Sequence, residues 1–305
     1  MNRRLGGIAL VSLSIAAACG IFTVLTSATD WINGDYRSWA SPLRACASAK
    51  RTGAGERRTV DLEWAGSDVV KIKIPAQVHY QPGLKPQASV SGDADLVDHV
   101  RLHDGTLEWD SVEWDNLVDC FPADNLVVQL AGPAVAAWTL SGSGELDLSD
   151  IRQDVLSVTM HGSGIVTASG EAKEVSLDAA GSGRAELRRL VAQKTSVKMS
   201  GSTDLKLADS RQDVLRIIMH GSSVVTASGA AREVSLESAG SGRSDLGGLI
   251  AERVNAKIHG SANVDLAPRQ DADITVSGSA VVKLHGTVVR ISSHVSGSAE
   301  IKQVP

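Results

Sequence analysis

A serine stands at nearly equal intervals along the second half of this chain, each time behind a glycine. The pairs are Gly142-Ser143, Gly162-Ser163, Gly181-Ser182, Gly201-Ser202, Gly221-Ser222, Gly240-Ser241, Gly260-Ser261, Gly278-Ser279 and Gly297-Ser298. A serine becomes a nucleophile only beside a histidine base and an oxyanion hole. Nine equivalent serines offer no unique one. They read instead as a structural ladder, with stacked hydroxyls hydrogen-bonding across neighbouring strands, and a binding strip is the alternative.

His161, His220 and His259 each precede one of these glycines, which invites a metal site. At about 4.8 Å per stacked repeat the nearest two would lie about 10 Å apart, too far for one ion. His285 and His294 fall outside this register. Gly-x-Gly occurs at Gly142, Gly162, Gly181 and Gly240 without the third glycine and helix of a dinucleotide loop. Glu108, Asp110, Glu113, Asp115 and Asp119 form an acidic run with Trp109 and Trp114. Such a run could hold calcium, but without a glycine-shaped loop it reads as a solvated face. No catalytic residue, metal or cofactor is therefore expected.

Polysaccharide-cleaving solenoids need clustered carboxylates. Asp154 and Asp213 lie three repeats apart, and no Trp, Tyr or Phe follows Trp138 to stack on a sugar ring. Both facts weigh against an enzyme and leave a carbohydrate-active one as the rival reading.

The elements that would carry these residues follow from the spacing. Successive beat glycines are 20, 19, 20, 20, 19, 20, 18 and 19 residues apart, a period that marks a solenoid. Val158, Met160, Gly162, Gly164, Val166 and Ala168 share one face of an alternating strand, with Ser157, Thr159, His161, Ser163, Ile165 and Thr167 on the other. The alternation predicts glycines turned toward a narrow lumen and serines turned outward. A coil of this length cannot bury its apolar face alone, so stacking into a right-handed parallel β-helix of about nine coils is expected. Above this period sits another. Residues 141–199 align without gaps on 200–258 with about 34 of 59 positions identical, so three coils were copied as a block.

The expected organisation has four parts: a signal peptide over 1–28, an N-terminal segment and linker over 29–57, a small β module over 58–133, and the β-helix over 134–305. In the module, the alternating runs Arg58–Trp64 and Val69–Ile74 read as strands. Ala88–Ser91, Val97–Leu102, Thr106–Trp109 and Asn125–Leu130 read likewise, with Asp104-Gly105 closing a tight hairpin.

Export is read from the leader, in which basic Arg3 and Arg4 precede the apolar run Leu5–Leu25 and small residues permit cleavage after Ala28. An uncleaved leader long enough to span a bilayer, or lipidation at Cys19, would tether the chain to a membrane. In an oxidising compartment Cys46 and Cys120 are a candidate disulfide, closing a loop of about 75 residues at about 4 kcal/mol on the chain-entropy model. Two buried thiols are the alternative. The net charge of −5 and the lack of a basic patch argue against nucleic acid.

Several phrases together carry a family resemblance: Arg58-Thr59-Val60, Val69 to Ile74, Asp104-Gly105-Thr106-Leu107, Asn125-Leu126-Val127-Val128, Gly132-Pro133, and Leu140-Ser141-Gly142-Ser143-Gly144. Over about Arg58 to Ile301 the chain resembles the putative auto-transporter adhesin, head GIN domain family. The resemblance implies an exported, β-helical bacterial protein. With the leader and the lack of a catalytic site, the expectation is a periplasmic or cell-surface protein with a non-enzymatic binding or adhesion role toward an unidentified protein or glycan of the envelope or surface; a polysaccharide-active enzyme and a purely structural envelope protein are the alternatives. It departs from an auto-transporter, since only eight residues follow Gly297, which leaves no room for a translocating barrel.

Overall fold

The computed structural model describes residues 56–111 and 126–305. Cys19, Ala28, Cys46, Cys120 and the acids Glu113, Asp115 and Asp119 lie outside the described residues. The described strands all join one sheet, and the chain from Thr52 onward forms one compact unit.

The solenoid proper runs through β8 (Ala137–Gly142), β9 (Glu145–Gly162), β10 (Ile165–Gly181), β11 (Arg184–Gly201), β12 (Asp204–Gly221), β13 (Val224–Gly240), β14 (Arg243–Gly260) and β15 (Asn263–Gly278). From β9 to β15 each element wraps almost a whole coil and pairs in parallel with the next. The stack finishes in β16 (Val281–His285), β17 (Arg290–Gly297) and β18 (Glu300–Val304). It makes a parallel β-solenoid of about eight turns, one fewer than expected, because nine corners bound eight intervals.

Alternation fills the interior. One inward column runs Leu146, Val166, Ala185, Leu205, Val225, Ser244, Val264 and Val282, all buried. Met160, Met199 and Met219 fill another column. Complete burial of a residue of Leu size contributes about 1.5–3 kcal/mol, so each coil is held by its neighbours and not by itself.

The N-terminal strands are β1 (Arg57–Asp61), β2 (Val69–Ile72), β3 (Gln77–Pro82), β4 (Gln87–Asp93), β5 (Val100–His103), β6 (Thr106–Trp109) and β7 (Leu126–Gly132). They do not stand apart from the solenoid. β2 pairs in parallel with β8 and β3 with β9. On their other side lie β6 and β7, also parallel. The first coil, β2–β3, is therefore clasped between segments that both come later in sequence. Beyond β7 the direction reverses: β4 runs antiparallel to β7, β1 to β4, and β5 to β6.

Tyr80 and Trp138 meet in this region with ring centroids 5.0 Å apart and tilted by 59°. The Tyr80 hydroxyl donates to Pro133 O at 2.6 Å, and burial holds its pKa above the usual phenol value. Two elements here were not read from sequence. β3 lies between Pro75 and the Pro82–Pro86 turn, and the short helix α1 (Ala94–Val97) has Asp93 as its N-cap, accepting from the Asp95 N–H at 3.2 Å.

Candidate functional site

The outer surface of the stack divides into two corners and the faces between them. At the Gly-Ser corner the serine N–H donates to the glycine carbonyl of the preceding coil. Ser163 N–H reaches Gly142 O at 2.9 Å, and the bond repeats up the column to Ser298 N–H on Gly278 O at 2.9 Å. All nine ladder serines are exposed. Their hydroxyls make no hydrogen bond among the described residues, so backbone groups, not stacked hydroxyls, hold the ladder.

The beat glycines do not face the lumen as alternation predicted. Each has positive φ, and each lies at the surface or half-buried. At Gly221, φ is +98°, and a Cβ would lie 2.6 Å from Gly201 O. Close backbone approach along the stack excludes a side chain here. The strand alternation breaks because glycine and serine both turn outward at the bend. The next position is the inward one, occupied by Gly164, Gly183, Thr203, Ser223, Gly242 and Ala262. At that position Thr203 and Ser223 share a buried hydroxyl bond of 3.1 Å.

The second corner was not recognised in the sequence. It contains Gly170 (φ +123°) and Gly229 (φ +119°) in two coils, and Asp150 (φ +55°), Arg189 (φ +52°) and Asp209 (φ +53°) in three others. Register slips here, since Ala168 pairs with Leu148 but Gly170 pairs with Ile151. Three of the four coils of 20 residues place a left-handed residue at this bulge, Asp150, Arg189 and Asp209, and the fourth, from Gly240 to Gly260, slips register here without one. The signal that could have revealed it is the 20 and 19 spacing itself. A serine from the following coil props the bulge: Ser228 Oγ accepts from Asp209 N–H at 3.1 Å, and Ser169 Oγ from Asp150 N–H at 3.4 Å.

Three coil steps separate His161 from His220, through Ala180 and Ser200, and two separate His220 from His259, through Ala239. His259 Nδ1 lies 2.7 Å from Ser277 Oγ. No group of three His, Cys, Asp or Glu side chains suited to a metal forms among the described residues. Asp154 pairs with Lys173 at 2.8 Å, and Asp213 with Arg232 at 3.7 Å. In the acidic run Glu108 meets Lys73 at 2.8 Å, while Asp110 meets Arg101 at 3.0 Å.

Charges on the outward columns are mostly matched from coil to coil. Glu174–Lys194 (3.9 Å), Asp178–Lys198 (3.8 Å) and Glu233–Arg253 (3.6 Å) are examples. Each is exposed and contributes no more than about 1 kcal/mol. Glu186 is different: it accepts from Arg188 Nε at 2.9 Å and lies 3.5 Å from Lys206. The Arg188 hydrogen bond in particular holds its carboxyl below the usual range.

Just past the second corner a groove of about 540 Å³ runs along the stack over four coils. Its floor is the column Gln153, Ala172, Ala192, Gln212. Outward side chains before and after this column form two walls, with Arg152 and Arg211 at the two ends of one of them. The ends are thus the two copies of Arg-Gln-Asp from the duplicated block. The duplication is visible in the sequence, but the trough left by the two small residues between the copies appears only when register stacks the coils.

No curated protein matches this chain in sequence. Among solved structures, a putative lipid binding protein from Parabacteroides distasonis ATCC 8503 is 20% identical with a TM-score of 0.58, over 83% of this chain and 98% of that one. A putative adhesin from Parabacteroides merdae ATCC 43184 is 16% identical with a TM-score of 0.58, again over 83% and 98%. A putative adhesin from Parabacteroides distasonis ATCC 8503 is 15% identical with a TM-score of 0.57 over the same shares. At these identities the likeness is one of fold. The family model for the putative auto-transporter adhesin, head GIN domain matches residues 68–212 and 188–288, two overlapping stretches that together run from the first coil to the end of β16. With that much of its length matched, the chain belongs to the putative auto-transporter adhesin, head GIN domain family.

Proposed function

We propose that this protein is a non-enzymatic binding protein of adhesive type, exported by a bacterium and held in the envelope or at the cell surface. The observation that carries the reading is a division of labour within the coil, in a family described as adhesin-like. Interior columns are buried and the Gly-Ser corner repeats in every coil, while the residues of the outward columns differ from coil to coil. A scaffold of this kind presents side chains over a long rigid surface, as binding requires.

Retention of the purified full-length protein on envelope fractions, host surface glycans or surface proteins tests it. Saturable retention on one of these, with no turnover of the bound material, is the expected result. Cleavage of a polysaccharide by the purified protein, lost when Asp154 or Asp213 is changed to asparagine, would establish the enzyme instead. Absence of retention on every surface would leave an envelope scaffold as the role.

A further inference from the structure

The groove over the four coils holds charges and a polar atom that the fold itself does not use. Along most of the surface, acids and bases on adjacent coils pair, and at the groove Asp154 and Asp213 do so with Lys173 and Arg232. Arg152, Glu171 and Arg211 on the opposite wall make no ion pair among the described residues. Arg152 and Arg211 stand three coil steps apart through Glu171 and Val191, about 14 Å at the spacing of parallel strands.

Gln212, in the floor, is only 5% exposed, and its Oε1 has no hydrogen-bond partner. Its duplicate Gln153 is anchored through the amide nitrogen, Nε2 donating to Val135 O at 2.9 Å and to Val155 O at 2.6 Å. An orphaned buried carbonyl costs stability until a donor reaches it.

We infer that this groove, between Arg152 and Arg211 and over Ala172, Ala192 and Gln212, binds an acidic oligosaccharide. This rests on the proposed binding role and names its ligand class and site. Guanidinium forks recognise carboxylates in two-point geometry, and two of them spaced along the groove suit a chain with acids on separated sugar units. Sugar hydroxyls donate to the Glu171 carboxylate, which stands on the wall between the two arginines.

An acidic peptide fits less well. Bound strands are gripped through a free sheet edge, whereas the backbone of this floor is committed to its neighbouring coils. With no Trp, Tyr or Phe after Trp138, binding depends on the ionic contacts and weakens as salt rises.

The test is titration of the full-length protein with a linear oligogalacturonate, its methyl-esterified counterpart and an oligoglutamate of matched length. The oligogalacturonate is expected to bind saturably. The ester, which keeps the hydroxyls and lacks the charge, is expected to bind about ten-fold or more weakly. Arg152→Gln with Arg211→Gln should weaken the acid form by about ten- to a hundred-fold with an unchanged melting curve. Arg216→Gln, on the outward face of another column, should leave binding unchanged.

Equal binding of the ester, tighter binding of the oligoglutamate, an unaffected double variant or no saturable binding would each overturn the inference. Retention on envelope or surface material that survives the double variant keeps the adhesive role and sinks the groove. Oligogalacturonate binding without such retention does the reverse.

Discussion

The two corners of each coil solve the same problem, reversing the chain between stacked strands, in opposite ways. At the Gly-Ser corner every coil has the same two residues, the same positive φ and the same N–H to carbonyl contact with the coil below. At the second corner the residue count changes, glycine alternates with left-handed Asp or Arg, and the register slips and recovers. One corner keeps the register of the stack; the other absorbs length variation, and the groove opens beside it. Chemistry is freest where the backbone is least constrained.

Substitution at the two corners should therefore have opposite consequences. Gly221→Val places a branched Cβ where Gly201 O stands 2.6 Å away, at a φ of +98°. We expect a loss of about 4 kcal/mol or more, or failure to fold, read as lowered yield and early thermal unfolding. A near-native melting curve would show that the first corner is not the rigid one. Leu215→Ala removes an interior side chain with 0% exposure that both corners enclose, and should cost about 3 kcal/mol. Because a stack can unfold piecewise, hydrogen exchange is the suitable measurement, with protection lost in β11 to β13 first. Uniform loss along the chain would mean that the corners do not insulate one coil from the next.

At the second corner the sign reverses. Asp209→Gly relieves a left-handed residue at φ +53° and keeps the N–H bonded to Ser228 Oγ, so it should leave stability unchanged or raise it by up to about 1 kcal/mol. A clear destabilisation in chemical denaturation would mean that this corner too is specified by side chain.

The smallest effect concerns Glu186, on the face between the corners. Its folded-state pKa lies below the ordinary carboxylate value because Arg188 donates to it. The carboxylate therefore contributes stability above its unfolded pKa, and this is lost as pH falls through the folded value. Glu186→Gln should cost under about 1 kcal/mol at neutral pH, and the gap to the parent should close below about pH 4. A gap independent of pH would assign the effect to packing.

Much of this architecture was legible in the residues. Periodicity of two within each strand, and of about 20 between glycines, is imposed by the backbone on every coil, so a single sequence displays it many times. The direction of the beat glycines was not legible, because alternation is a rule for straight strands and Gly162 sits on a bend, with the exposed Ser163 and the inward Gly164 after it. Nor was the pairing of Val69 with Ala137, which joins segments without a shared repeat. The groove escaped because it arises from a column, Gln153, Ala172, Ala192 and Gln212, whose members lie about 20 residues apart. Neither wall means anything until register sets them side by side.

The placing of β2 and β3 between β6–β7 and β8–β9 also governs how the molecule comes into being. A chain synthesised from its amino end delivers β2 and β3 well before any parallel partner for either exists. Val69–Ile72 waits for Thr106 and then Ala137, and Gln77–Pro82 waits for Val127 and then Glu145. Until β9 arrives, the earliest coil is an open template on at least one side. After that moment every later coil finds a finished surface on which to lie down, so closing the first coil calls for long-range pairing while each later coil adds only to its neighbour.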